Sequence, residues 1–249
     1  MAKKINTMKW FESWFNSKYY HILYQKRDHS EAALFIDNIL KTFQPGKNTK
    51  FLDLGCGSGR HSIYLNQKGF HVDGFDLSKK SLEEAKKKEN NKLKFYQKDM
   101  RNFTVNKKYD FVLNLFTSFG YFENDSDNKN VFKNISKSLK TNGYCIIDFF
   151  NTEKVVNQIQ KNEIKKINNI IFNIHKTYDE NFIYKKISIT DKKNKYNFTE
   201  KVRLINKQKF INYASGLNMD LEFSFGDYNL AKYNTELSDR LILIFKKTA

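Results

Sequence analysis

The segment Asp53-Leu54-Gly55-Cys56-Gly57-Ser58-Gly59-Arg60 has residue types at a spacing that can do chemistry. Three glycines at alternate positions after an apolar run make a turn whose backbone N–H groups can approach a ligand at a helix N-terminus. Spacing separates its rival uses. A phosphate loop needs G-x-x-x-x-G-K-[ST], and no Lys stands at the required position. A dinucleotide fingerprint needs G-x-G-x-x-G, whereas these glycines fall at 55, 57 and 59 and position 60 is Arg. Asp53 would repel a pyrophosphate but attract a cationic amino acid moiety. A nicotinamide dehydrogenase is disfavoured by both Asp53 and Arg60.

Two further acids follow successive apolar runs. Asp76, 21 positions after Gly55, can accept both hydroxyls of a ribose. Asp99-Met100 offers an acceptor for an exocyclic amine and a polarisable side chain to lie against a purine. Each acid alone is an ordinary strand-end residue. The set of three with a G-x-G-x-G turn is specific, because ligands bind at strand ends in such sheets.

The elements that position these residues read as follows. Residues 8–43 carry apolar positions at three- and four-residue spacing, among them Trp10, Trp14, Phe35, Ile36, Ile39 and Phe43, which predicts helix. Pro45-Gly46 ends it. Strands are predicted at 51–54, 72–75, 93–96, 111–116 and 144–149. Helices are predicted at 58–68, at 78–89 with Ser78 as N-cap, and at 131–139 closed by Asn142-Gly143. Strands alternating with helices predict an α/β fold with a parallel sheet and helices on both faces. Beyond 150 the texture changes. Segments at 171–174, 182–184, 187–189 and 198–202 predict antiparallel strands separated by polar turns at 179–181 and 191–194. A helix at 207–214, stopped at Gly216, and strands at 221–225 and 241–245 complete the chain.

With these residues in place, the chain resembles the class I S-adenosylmethionine-dependent methyltransferases, over residues 1–249 in order and most specifically over 51–150. The resemblance implies a Rossmann-like, mostly parallel sheet of seven strands with helices on both faces, plus a small antiparallel β insertion. It implies one domain in four parts: a helical cap (1–45), a cofactor-binding core (46–150), the insertion (151–204) and a return to the core sheet (205–249). The cofactor implied is S-adenosylmethionine. Gly55, Gly57 and the turn between them would face its methionine end, with no chemistry assigned to Cys56, and Gly59 is counted with them as cofactor-binding. Asp53 would orient its amino group indirectly and Asp76 would hold the ribose. Leu77 and Met100 would sandwich the adenine, with Asp99 or the adjacent backbone reading its amine. Asn114-Leu115-Phe116 would pass beside the transferable methyl. Tyr20 and Arg27, on the segment resembling a capping helix, would contact the methionine part.

The methyl acceptor is constrained by exclusion. Base-amine methylation commonly uses [ND]-P-P-[YF] after the fourth strand; this chain has Asn114-Leu115-Phe116-Thr117, and its one proline is Pro45. The same scarcity rules out a Pro-Cys nucleophile for cytosine carbon methylation. Asp148 and Asn151 stand where a metal-dependent site would begin, but no third ligand is evident, so no metal is expected. The segment 116–122 and the strand-rich insertion resemble small-molecule N-methyltransferases, including the amino-sugar group. The expected acceptor is therefore a small-molecule amine or hydroxyl. Tyr121, Asp148 and His21 are the candidate bases; His61, His71 and His175 read as structural or solvated.

Composition bounds the rest. The chain has 249 residues, 40% hydrophobic and 16% aromatic, enough to bury a core. Its two cysteines, Cys56 and Cys145, cannot build a disulfide framework. No apolar run approaches the ~20 residues of a membrane helix and no signal-peptide pattern follows Met1, so a cytoplasmic setting is expected, as monomer or homodimer. The 44 Lys and Arg against 27 Asp and Glu give a net charge of +17. That charge would attract nucleic acid, but Lys is spread through the whole chain with no Arg-rich arm or zinc-finger spacing. An RNA methyltransferase and a non-catalytic cofactor-binding protein remain the alternative readings. The same charge favours an acidic or phosphorylated acceptor.

Overall fold

The computed structural model describes residues 10–25 and 29–249. The chain opens with α1 (Trp10–Phe15), α2 (Lys18–Leu23) and α3 (His29–Phe43). The predicted helical segment is thus broken, and the physical cause is Ser17. Its backbone is extended and its hydroxyl accepts from the Tyr19 N–H at 3.1 Å, the geometry of an N-cap that starts a new helix.

The core follows in alternating order: β1 (Lys50–Leu54), α4 (Arg60–Gln67), β2 (His71–Asp76), α5 (Lys79–Lys86), β3 (Leu93–Gln97), β4 (Tyr109–Asn114), α6 (Asp125–Ser138) and β5 (Leu139–Phe150). Next come α7 (Thr152–Asn157), β6 (Asn162–Ile167), β7 (Ile170–Tyr178), β8 (Phe182–Asp191) and β9 (Asn194–Arg203). The chain returns through α8 (Lys207–Ala214), β10 (Met219–Phe225) and β11 (Arg240–Lys247).

Seven strands form one sheet in the order β3-β2-β1-β4-β5-β11-β10. The five strands from β3 to β5 are parallel, and β11 runs antiparallel to both β5 and β10. Both faces are covered, and the central strands β1 and β4 are buried along nearly their whole length. Phe35, Ile36 and Ile39 of α3, Leu65 of α4 and Leu82 of α5 pack on one face. Val131, Phe132 and Ile135 of α6 and Phe210 of α8 pack on the other. Strand order reverses at β1, whose neighbours are β2 and β4, so the loops leaving β1 and β4 diverge and open a crevice at the carboxyl ends.

Strands β6 to β9 form a separate antiparallel sheet. Ile170, Phe172 and Ile174 of β7 and Ile187 and Ile189 of β8 alternate inward, and what they meet is the N-terminal cap: Trp14, Tyr19 and Leu23. Glu200 on β9 accepts from Trp14 Nε1 at 2.7 Å and from the Tyr24 hydroxyl at 2.6 Å. Asp191 accepts from the Tyr19 hydroxyl at 3.0 Å. The cap and the insertion therefore share their own small core.

Other expectations shift at their edges. Helix α6 begins at Asp125, and β5 follows it directly at Leu139, so Asn142-Gly143 lies inside the strand rather than closing the helix. Asn142 has φ 63°, and a Cβ at Gly143 would stand 2.9 Å from the Asp110 carbonyl oxygen. The pair makes the bend that accompanies the register shift between Tyr109 and Phe111 in the β4–β5 pairing. The segments 182–184 and 187–189 are one strand, β8. No described helix is long and apolar enough to cross a membrane.

Candidate active site

The glycine turn explains its own spacing. Gly55, Gly57 and Gly59 all take left-handed backbone conformations, with φ of 78°, 56° and 85°, which side chains with a Cβ adopt only at a cost. The turn is folded back on β2: the N–H groups of Gly55 and Cys56 both donate to the Phe75 carbonyl, at 2.7 and 3.1 Å. Two of the glycines also answer close contacts. A Cβ at Gly55 would sit 2.6 Å from Ser118 Cβ, and one at Gly59 would sit 2.7 Å from the Phe95 ring. Gly57 is different. A Cβ there would meet nothing within 4 Å, because the residue borders a cavity of about 780 Å³, toward the upper end of the ~300–1,000 Å³ usual for small-molecule sites.

Asp76 closes the turn from the β2 side. One carboxylate oxygen accepts from Gly57 N at 2.8 Å and the other from Ser78 N at 2.7 Å. Burial raises its pKa, opposed by those backbone N–H groups. Each oxygen keeps a second lone pair, so the carboxylate can still accept from a diol at the cavity wall. Leu77 follows Asp76, and Met100, beyond β3, borders the same space.

Of the residues predicted from sequence, Tyr20, His21, Gly55, Cys56, Gly57, Asp76, Leu77, Met100, Leu115 and Tyr121 border this cavity together. Arg27 lies outside the described residues. Gly59 stands behind the wall, packed on Phe95. Asp53 is buried with its carboxylate accepting from the Ser62 hydroxyl at 2.6 Å, and burial pushes its pKa up to about 6. It braces the turn from behind. Asp99 is held by Arg101, whose Nε stands 3.0 and 3.1 Å from its two oxygens, and it does not reach the wall. Asn114 is buried and donates to the Leu54 carbonyl at 2.8 Å, tying β4 to β1.

The three candidate bases fare as follows. Asp148 is buried and hydrogen-bonded through both oxygens. Its Oδ2 accepts from Phe116 N at 2.8 Å and from the Tyr228 hydroxyl at 3.0 Å, and its Oδ1 from Arg240 Nε at 2.7 Å. These partners give Asp148 a positioning part: its carboxylate holds the backbone after β4 and does not itself border the cavity. Tyr121 lends the wall its ring, edge-on to Trp10 and Phe15, while its hydroxyl donates to the Thr117 carbonyl at 2.5 Å. His21 Nε2 is buried with no hydrogen-bond partner among the described residues. Burial, with Lys80 nearby, lowers its pKa, so the ring is neutral near pH 7. It is the one of the three with an acceptor nitrogen to spare.

Sequence reasoning marked the loop after β4 but not its strained backbone or Arg240, which helps to hold it. Phe116 and Thr117 both take left-handed conformations, φ 58° and 60°, a strained backbone that persists only where its surroundings fix it. Here Asp148 fixes it twice, by its carboxylate to Phe116 N and by its backbone carbonyl to Thr117 N at 2.9 Å. Arg240 Nη2 donates to Thr117 Oγ1 at 3.0 Å. The Arg60 guanidinium lies over the Phe116 ring at 4.4 Å, with Arg240 at 5.6 Å. Lys185, Glu200 and Lys176 of the insertion also border the cavity. Arg240 and these insertion residues carry no local motif, and tertiary topology alone brings them to the site. Among the described residues, no group of three or more His, Cys, Asp or Glu is arranged to hold a metal ion.

Comparison with known proteins agrees with this geometry. The methyltransferase domain family matches residues 45–211. A ubiquinone biosynthesis O-methyltransferase of Pelagibacter ubique is 36% identical over 124 residues, covering 46% of this chain and 50% of that protein. A dTDP-3-amino-3,4,6-trideoxy-alpha-D-glucopyranose N,N-dimethyltransferase of Streptomyces venezuelae is 24% identical over 122 residues, covering 49% and 51%. The chain thus spans about half the length of these curated relatives. The crystal structure of an S-adenosylmethionine-dependent methyltransferase from Clostridium acetobutylicum superposes with a TM-score of 0.79 at 19% identity, covering 93% of this chain and 96% of that one, a likeness of fold. With the family match spanning the glycine turn, Asp76 and the loop after β4, this chain belongs to the methyltransferase domain family.

Proposed function

We propose that the protein transfers a methyl group from S-adenosylmethionine to a small-molecule amine or hydroxyl acceptor. The observation that carries this is the pairing of Gly57 with Asp76: a left-handed glycine open to the cavity, and a strand-end carboxylate with lone pairs left to accept. Bound S-adenosylmethionine supplies a methyl on a sulfonium, so the leaving group is already good and the protein's task is alignment and exclusion of water. Asp76 takes the ribose, with Leu77 and Met100 against the base, and Gly57 lets the turn approach the methionine end. Arg60 supplies a cation at the mouth of the turn. Phe116, Tyr121 and Tyr20 wall the space between the two halves. The acceptor nitrogen or oxygen forms the new bond to carbon while the sulfur keeps the electron pair of the bond that breaks, and the acceptor gives up a proton. His21, neutral and unpartnered at Nε2, is the residue suited to receive it.

In this reading the four parts of the chain have separate tasks. The core and its return strands hold the cofactor, and the cap and insertion, packed on a shared core, form one cover. Both cysteines are free and buried, consistent with a reducing, cytoplasmic setting. A nucleic-acid acceptor is disfavoured because the cavity is roofed by the insertion. The test is release of S-adenosylhomocysteine on adding fractionated cell extract. The small-molecule fraction should drive it. Release with the RNA fraction alone would overturn the choice of acceptor.

A further inference from the structure

The wall of the cavity is balanced in charge. Each cation that reaches it from β7, β8 or β11 already has a carboxylate. Lys176 Nζ stands 3.5 Å from Glu163, Lys185 Nζ 3.6 Å from Glu200, and Arg240 Nε 2.7 Å from Asp148. Lys185 also donates to the Tyr24 hydroxyl and lies over that ring at 4.6 Å. On the core side Arg60 meets Glu31 at 3.4 Å, and Lys98, near Met100, donates to the Thr104 carbonyl at 3.0 Å. Glu200, the acidic residue that the insertion brings to this wall, also accepts from Trp14 and Tyr24 at 2.7 and 2.6 Å. An ionic group entering from the insertion side would have to break one of these pairs or lie without a counter-ion, and both are costly. The net charge of +17 is thus no guide to the acceptor.

Between the pairs the wall is apolar. Phe15 lies edge-on to Tyr121 at 5.4 Å and to Tyr20 at 4.9 Å, so three rings of the wall meet one another. Phe150 at the end of β5, Ile183 of β8 and Val202 of β9 border the same cavity, and Ile183 and Val202 stand opposite each other across the two strands. Ring clusters of this kind take a further ring edge-on or offset, with a gain beyond the area buried.

We infer that the methyl acceptor is an uncharged aromatic molecule, a phenol or an aryl amine, whose ring lies among Phe15, Tyr20, Tyr121, Phe150, Ile183 and Val202. This inference rests on the methyltransferase reading and names the substrate class for it. A phenol and an alkyl amine both titrate near pH ~10, but near neutral pH the first is uncharged and the second is an ammonium with no lone pair to attack with. An aryl amine is too weakly basic to be protonated there, so its nitrogen also arrives ready to react. The phenol oxygen or aryl nitrogen forms the bond to the methyl carbon, the sulfur keeps the electron pair of the bond that breaks, and the acceptor's proton passes to His21.

The test measures binding of small probes, by thermal stabilisation, to the full chain saturated with S-adenosylhomocysteine. The probes are para-ethylphenol, para-ethylaniline, tyramine, para-hydroxyphenylacetate and ethylcyclohexanol. The last three keep the size but add an ammonium, add a carboxylate or lose the aromatic ring. At least one of the two neutral aromatic probes should bind about tenfold more tightly than each of these three. Ile183→Lys adds a cation to a wall where Glu200 is already taken, so para-hydroxyphenylacetate should gain about tenfold relative to para-ethylphenol, a reversal that a general loosening of the fold would not give. Val202→Lys, opposite it on β9, should do the same. Wild-type binding of either ion as tight as that of the neutral rings overturns the inference. So does equal binding of ethylcyclohexanol, no binding of either neutral ring, or an unchanged order of probes in both folded lysine variants. Failure of S-adenosylhomocysteine to bind wild type would instead strike the methyltransferase reading itself.

Discussion

Asp148 and Arg240 meet across β5 and β11, Oδ1 to Nε at 2.7 Å, and between them they hold a turn that neither belongs to. The left-handed pair Phe116-Thr117 depends on the carboxylate for one N–H and on the guanidinium for the Thr117 hydroxyl. Removing one partner leaves the other charge buried and uncompensated, which costs about 3–5 kcal/mol. Arg240→Met should lower stability by that amount in urea unfolding. Arg240→Met combined with Asp148→Asn should lose much less than the sum of the two single losses. Additive losses would show that the two side chains act independently.

The glycine turn is packed as well as bent. Gly74, in β2, lies under the Phe95 ring: a Cβ there would stand 2.5 Å from Cδ1 and 2.9 Å from the Cys56 sulfur. Gly74→Ala should cost about 1–3 kcal/mol by overpacking, and Phe95→Leu should recover part of that loss. Denaturant midpoints for the two single variants and the double variant check it. A neutral Gly74→Ala would mean the contact yields without cost.

Two buried groups give opposite pH dependences. Burial raises Asp53 from 3.8 to about 6 and lowers His61 from 6.5 to about 3. Between roughly pH 4 and 6 the folded chain holds the extra proton on Asp53, so that contribution to stability is lost as pH rises, by about 3 kcal/mol in all. Over about pH 3 to 6.5 the unfolded chain holds the extra proton on His61, so its contribution is lost as pH falls. The slopes cancel where they overlap. Asp53→Asn removes one of them, so the variant should gain stability relative to wild type as pH rises from 4 to 6. Paired thermal melts across that range measure the difference, and a constant difference would contradict the assignment.

Glu200 ties the cap to the insertion. Glu200→Ala leaves the Trp14 indole N–H without its acceptor, at about 1–3 kcal/mol for a buried group. Amide exchange should accelerate in α1, α2 and β9 while β1 and β4 stay protected. Equal protection in the variant would show that the apolar contacts of Trp14, Tyr19 and Leu23 hold the cap alone.

Much of this arrangement was legible in the sequence because it is local. The short apolar runs of β1 and β4 mark strands buried on both faces, and Ser78 caps α5 as its position suggests, accepting from Ser81 N at 3.2 Å. The glycine spacing reports three left-handed residues. Strand β6 was not legible: Glu163, Lys165 and Lys166 give it no apolar period, because it lies at the sheet edge. The break at Ser17 was hidden by aromatic residues that keep helical spacing on both sides. In the site, Asp53, Asp99 and Asn114 have the right types and sequence positions but face the interior or Arg101. Only the fold shows that. Arg240, Lys185 and Glu200 could not be found from spacing, since each reaches the cavity from a strand remote in sequence from the glycine turn.

The most direct test is calorimetric titration of S-adenosylhomocysteine into wild type, Asp76→Ala and Gly57→Val. Wild type should bind one molecule per chain. Asp76→Ala should lose about 10- to 100-fold in affinity, the worth of hydrogen bonds to a charged group, and Gly57→Val should not bind, its side chain filling the space the turn leaves open. All three should retain a cooperative thermal unfolding transition. Wild-type affinity in both variants, or no binding by wild type, would contradict the account.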